Sequence, residues 1–334
     1  MKKSGTADLP LHGGKCPRWL FKRMKKLVGA ISEVIIYEHS QEELLNRLSD
    51  PYFFQSLGCA VGFDWHSSGL TTTLAGALKE SIDPEEHGIQ VAGGKGKNST
   101  KAPEEIKNTP FNLRTQDLET LERSTRLSGK VDNNCVQDNY NLYHHSFIFT
   151  EDGKWTVIQQ GLNSKNKYAR RYHWISDRIE KKGNYIEEPQ NAICAQEKEN
   201  EVLDLTSKKS EETREISLDL VKDNPNHIKQ FFAPKGQKTL LNYTEDQVEL
   251  KLPPHHDIKS VDISKRSLEN LKKAYEFQPD DYEELVELKG IGPKSIRALA
   301  LISELVYGSE TSWKDPAKYS YAHGGKDGIP YPVN

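Results

Sequence analysis

The chain has little of what holds small secreted folds or membrane proteins together. It contains 4 cysteines among 334 residues, at positions 16, 59, 135 and 194, with no Cys-x-x-Cys pair. Neither a zinc ribbon nor a disulfide framework is indicated, and a reducing, cytoplasmic setting is expected. No apolar run approaches the roughly 20 residues that a spanning helix needs. The basic start "KCPRWLFKRMKKLVGAI" also lacks a continuous apolar stretch followed by a small-residue cleavage site, so no membrane partner and no processing are expected. No charge sign dominates: 46 Lys+Arg stand against 49 Asp+Glu, a net charge of -3. That excludes a globally basic nucleic-acid coat and leaves binding of phosphate to local basic patches. There is no internal repeat, and no low-complexity tract longer than a few polar residues.

Enough chain remains for a sizeable core and two or three domains. Residues 17 to 37 carry Leu20, Met24, Leu27, Val28 and Ile31 at helical spacing, and a second helix is expected over 41 to 48. In "DPYFFQSLGCAVGFDWHSSGLTTTLAGALKESI" the run Cys59 to Phe63 reads as a buried strand and Leu70 to Ile82 as a helix. The stretch from Lys101 to Leu127 is polar and helix-prone. Strand signals cease near Ala195, "EVLDLTSKKSEETREISLDLVKD" reads as one long amphipathic helix, and another helix is expected near 267 to 275. The expected class is α+β, with a mixed α/β, catalytic part over 1–194 and a helical, DNA-binding part over 195–334.

The strongest strand signal is a hairpin. "LYHHSFIF" and "KWTVIQQG" alternate around the turn "TEDG", which pairs Phe149 with Trp155, Phe147 with Val157, His145 with Gln159 and His144 with Gln160. His145 and Gln159 should then look inward, with His144 and Gln160 on the opposite face. In "YARRYHWIS" Arg171 and His173 project together, and Arg170 projects with Tyr172. Imidazoles can ligate a metal or exchange a proton, and guanidinium groups can neutralise a phosphoryl transition state. His144, His145, Gln159, Arg170, Arg171 and His173 are therefore candidate catalytic residues of a phosphodiesterase. The alternative is a hydrogen-bonded core or a passive phosphate clamp. In "FDWHSSG", Asp64 and His66 face the same way on extended backbone and are candidate ligands for Mg²⁺ or Mn²⁺, while Ser67 or Ser68 can cap the next helix. The histidines of "LPPHHD" (His255, His256) and His323 have no metal-site spacing and read as surface loops. "GGKGKNSTK" is not a P-loop, because Gly96 follows Lys95 and Ile89 stands at the first glycine position. Lys95, Lys97 and Lys101 remain candidates for contacting phosphate.

Near the end lies "LVELKGIGPKSIRALA". It resembles the helix-hairpin-helix motif of DNA-binding and DNA-repair proteins. Gly290 and Gly292 would let the backbone approach a phosphate, with Ile291 between them. Pro293 would open a helix whose first amides face the anion, with Lys294, Ser295 and Arg297 following. Such contacts carry no base sequence. The alternative is an ordinary helical turn closed by a glycine.

Together "GTADLPLHGGKCPRWL", "FQSLGCAVGFDWHSSGLTT", "VAGGKGK", "LYHHSFIF", "ARRYHW" and "YAHGGKDGIPYPV" resemble, over nearly the full length, a family of archaeal and bacterial proteins known as domain of unknown function 763. That resemblance brings little function with it. The expected function is DNA binding with metal-dependent phosphodiesterase activity, on DNA as partner and with a homodimer open. Two alternatives stand beside it: a non-enzymatic DNA-binding protein, and a glycosylase/lyase using Lys294 as nucleophile with Asp315 downstream.

Overall fold

A computed structural model describes residues 16–63, 68–195, 198–223 and 265–318. Asp64, His66, Ser67, the His255-His256-Asp257 run and His323 lie outside the described residues. The amino-terminal part is a layer of four helices, α1 (Arg18–Glu38), α2 (Gln41–Ser49), α3 (Pro51–Ala60) and α4 (Gly69–Ser81). α1 buries Met24, Val28, Ser32 and Ile35, one residue per turn. The Ser40 hydroxyl caps α2 by accepting from the Glu43 amide, and Asp50 caps α3 with Pro51 in its first turn. The strand expected over Cys59 to Phe63 is not formed: Cys59 and Ala60 end α3. The Asp50-Pro51 start signal and the helical spacing of Phe54, Leu57 and Val61, all buried in one cluster with Leu70, override the short apolar run.

After the single turn α5 (Pro84–His87), the strands β1 (Ile89–Lys95), β3 (Asn141–Thr150), β4 (Trp155–Leu162), β5 (Ala169–Ile175) and β6 (Ala192–Cys194) form one antiparallel sheet in the order β1-β3-β4-β5-β6. The hairpin register is the expected one, with Phe149 opposite Trp155 and His145 opposite Gln159. Ile89, Val91, Ile148 and Ile158 pack with the α1–α4 layer, whereas Phe147, Phe149, Trp155, Val157 and Trp174 belong to a second cluster on the other face. Both faces are therefore covered, which is unusual for antiparallel strands.

The second cover consists of α6 (Ala102–Lys107), α7 (Thr115–Lys130), a π-helical turn (Val131–Cys135), α8 (Ser176–Lys182), α9 (Glu211–Lys222), α10 (Lys265–Phe277), α11 (Tyr282–Glu287) and α12 (Pro293–Tyr307). The polar stretch after Lys101 divides into α6 and α7, with Pro110 in the break. The long helix expected from Glu201 begins only at Glu211. Before it, β2 (Val136–Gln137) pairs with β7 (Leu203–Asp204), and the Asp204 carboxylate accepts from the Thr206 amide and hydroxyl, which holds a turn. Leu220, Leu271, Leu285, Ile291 and Leu299 share one hydrophobic cluster with Trp155 and Val157. The boundary expected at residue 194 therefore does not divide the core, because α9–α12 bury their apolar faces on α7 and the sheet. The class is α+β, and no helix among the described residues is long and apolar enough to cross a membrane.

Candidate functional site

α11 and α12 meet through the turn Leu288–Gly292. Ile291 is the turn's plug: it is buried in the core, and its amide donates to the Leu288 carbonyl at 3.2 Å. The carbonyls of the hairpin are held from behind. Lys130 donates its ammonium to the carbonyls of Val286, Glu287 and Leu288 at 2.9, 2.9 and 2.7 Å. Asn270 donates to Gly290 O at 2.8 Å, and Gln137 donates to Pro293 O at 2.8 Å. Arg123 and Arg126 pair with Glu283 and Glu287 and clamp α11 to α7.

The opposite pole of the turn is open. Gly292, the residue before α12, makes no side-chain cap, and the amides of Lys294 and Ser295 fall in the first turn, where no helical carbonyl precedes them. Lys289, Pro293 and Lys294 are exposed. The two glycines differ. Gly290 has φ +98°, and a Cβ there would meet the Asn270 side chain at 2.6 Å. Gly292 has φ -133° and ψ -178°, ordinary extended backbone, with no atom of the described residues within 4 Å of a Cβ beyond its chain neighbours. Gly290 thus serves the fold, and Gly292 keeps a surface clear. Two expected contributors turn inward: the Ser295 side chain is buried, and Arg297 lies half-buried over the Trp313 ring at 5.4 Å. Lys95 and Lys97 are exposed at the end of β1, an edge strand, with Lys95 6.0 Å from the Tyr143 ring centre.

The His, Gln and Arg cluster does not assemble into one site. β4 pairs with β5 so that Gln159 faces Tyr172 and Ile158 faces His173. Strand alternation then puts His145, Gln159 and Arg170 on one face and His144, Gln160, Arg171 and His173 on the other. All seven side chains are buried.

On the first face, Thr125 Oγ1 lies 2.6 Å from His145 Nε2, and His145 Nδ1 lies 2.9 Å from Gln159 Oε1. Gln159 Oε1 can only accept, so His145 is protonated on Nδ1 and takes the Thr125 proton on Nε2. Gln159 Nε2 then donates to Asp132 at 2.6 Å, and Asp132 also accepts from Trp174 Nε1 at 2.8 Å and Gln190 Nε2 at 2.8 Å. Burial pushes the Asp132 carboxyl up to about 8 and the His145 imidazole down to about 4. Arg170, at the same face's end, donates to Asp138 at 2.9 Å and to both oxygens of Asp315 at 3.0 and 2.7 Å, with its guanidinium 4.5 Å from the Tyr140 ring centre. Asp315 also accepts from the amides of Glu199 and Ala317. Arg170 therefore ties the carboxy-terminal segment to the sheet.

On the second face, Arg171 donates Nε to His173 Nε2 at 2.9 Å and Nη1 to Gln55 and Thr71 at 2.9 and 3.3 Å, and it stands 4.8 Å over the Phe54 ring. His173 Nδ1 donates to the Leu48 carbonyl at 3.1 Å. Burial, and then the Arg171 charge, hold His173 far below its ordinary range. Together these bonds fasten α2, α3 and α4 to β5. His144 lies 3.0 Å from Ser146 Oγ through Nε2, and burial lowers it to about 3. Gln160 donates to Ser68 O at 2.9 Å and also to the Tyr143 hydroxyl. Among the described residues no group of three or more His, Cys, Asp or Glu could hold a metal ion.

Sequence reading did not find Thr125, Asp132, Asp138 and Gln190, and no local pattern marks them. They become visible only as partners of the strand residues.

An antiparallel sheet closed between two helical layers, its His, Gln and Arg side chains buried, defines an α+β protein. The chain belongs to the family described as "Protein of unknown function (DUF763)", whose model matches residues 5–333. No curated protein and no solved structure matches it.

Proposed function

We propose that this protein binds DNA through its sugar–phosphate backbone, without reading base sequence, and that α11 and α12 form a helix-hairpin-helix element. One observation carries the reading: the hairpin's carbonyls are occupied from the protein side, while Gly292 and the exposed residues Lys289 and Lys294, with the Lys294 amide in the first turn of α12, are left on the outer side. A phosphate there gains amide donors, the positive end of a 15-residue helix and two lysines. With a net charge of -3, attraction for DNA has to come from local basic patches such as this one.

The metal-dependent phosphodiesterase reading loses support from the burial of its imidazoles and from their division between two faces. The lyase reading keeps an exposed Lys294, but the Asp315 oxygens are committed to Arg170 and two amides.

Backbone binding predicts a steep salt dependence. Fluorescence anisotropy of labelled duplexes of unrelated sequence should give similar affinities, and log K should fall linearly with log salt. Lys289→Ala and Lys294→Ala should each weaken all sequences alike and reduce the slope by about one unit. Equal slopes for parent and variants would place the DNA elsewhere.

A further inference from the structure

A cleft lies beside β7 of the two-stranded sheet. β7 contributes Asp204, which bridges to Ser312, and the rim is closed by the segment running from Ser312 to Lys318 and by β6. Its volume is about 450 Å³, inside the range of small-molecule sites. Nothing in the proposed DNA contact uses it.

The lining is bipolar. Lys198, Lys314 and Lys318 stand on it, all three exposed, and among the described residues no carboxylate lies within ion-pair reach of their ammonium groups. Three lysines around one concavity, with no ion-pair partner among the described residues, suit a dianion such as a phosphomonoester. Deeper in, the nearly buried Asp204 and Gln190 offer polar groups. A carboxylate there accepts from a ligand O–H or N–H and repels a second anion. Of the other lining carboxylates, Asp315 is neutralised by Arg170 and Glu188 is exposed to solvent, so the buried Asp204 sets the preference of the floor. Bare phosphate would satisfy only the lysines, and an uncharged apolar ligand would satisfy neither end.

We propose that this cleft binds a phosphomonoester of mononucleotide size, its phosphate among Lys198, Lys314 and Lys318 and its hydroxyl or amino donors toward Asp204. The site is independent of the hairpin, and its ligand is either a free nucleotide or the phosphorylated end of a strand.

Calorimetric titration of the full chain with the four deoxynucleoside 5′-monophosphates tests it, with deoxynucleosides and inorganic phosphate as controls. Saturable binding of at least one monophosphate is expected, about tenfold or more tighter than its nucleoside and than phosphate. The double variant Lys314→Ala/Lys318→Ala should lose about tenfold or more. Both side chains are exposed, so an unchanged circular dichroism spectrum and urea midpoint will show that the loss is local. Asp204→Asn should weaken the monophosphate and leave inorganic phosphate unchanged. Competition by a 5′-phosphorylated trinucleotide supports a strand end as the source, and its failure to compete supports a free nucleotide. The Lys289→Ala and Lys294→Ala proteins should bind the monophosphate like the parent. Absence of saturable binding by all four monophosphates, or binding that the double lysine variant leaves intact, overturns the proposal.

Discussion

Replacing Arg170 with methionine should cost about 3–5 kcal/mol of folding stability, the range for removing one partner of a buried ion pair. The guanidinium is fully buried, and the carboxylates of Asp138 and Asp315 depend on it. Burial alone would depress the Arg170 pKa, yet the two carboxylates more than reverse that effect and hold the cation charged. Without it, Asp138 keeps the Tyr172 hydroxyl and the Tyr140 amide, but both acids lose their counter-charge. The triple variant Arg170→Met/Asp138→Asn/Asp315→Asn should recover a large part of the loss, since removing a whole buried cluster is far milder than breaking it. Urea denaturation of the three proteins checks this. A loss below about 1 kcal/mol for Arg170→Met would mean that the side chain is solvated, as a catalytic arginine would be.

The buried imidazoles make the second large prediction. His145 is neutral in the fold, with its pKa lowered to about 4 from the ordinary 6.5. As pH falls below about 6.5 the unfolded chain takes up a proton that the folded chain refuses, so this group's contribution to stability is complete near neutrality and shrinks toward pH 4. Over that window it amounts to roughly 3 kcal/mol, at about 1.4 kcal/mol per pH unit. His144 and His173 act in the same direction. Asp132, raised to about 8, acts oppositely: its contribution is present below the usual carboxylate range and is lost as pH rises toward 8. The difference between parent and His145→Gln isolates one group. Unfolding free energies measured from pH 7 to 4 should converge by roughly 3 kcal/mol. Parallel profiles would mean that His145 titrates like a solvated imidazole.

The local grammar of the chain was legible. Alternation around "TEDG" gives the hairpin register residue by residue, and the spacing of Leu20, Met24, Leu27, Val28 and Ile31 gives α1, although Leu27 is exposed. The burial of both sheet faces had a signal too, in the apolar runs "SFIF" and "TVI", but the His and Gln pairs beside them read as chemistry. Their role depends on partners distant in sequence. Arg170 meets Asp315 across 145 residues and Arg171 meets Gln55 across 116, and no spacing rule announces such pairs. The hairpin was legible because its geometry is local, and even there the sequence could not distinguish the two glycines. Only the backbone shows that Gly290 needs its left-handed φ while Gly292 does not.

That difference provides the most direct test. Gly292→Leu puts a bulky side chain where the backbone is extended and no atom of the described residues lies within 4 Å of a Cβ, so its urea midpoint should match the parent's. It also covers the place where a phosphate would meet the Lys294 amide, so its affinity for duplex DNA at fixed salt should fall by about tenfold or more. An unchanged midpoint together with parental DNA affinity would contradict the account, because the hairpin would then be a turn of the fold and nothing else.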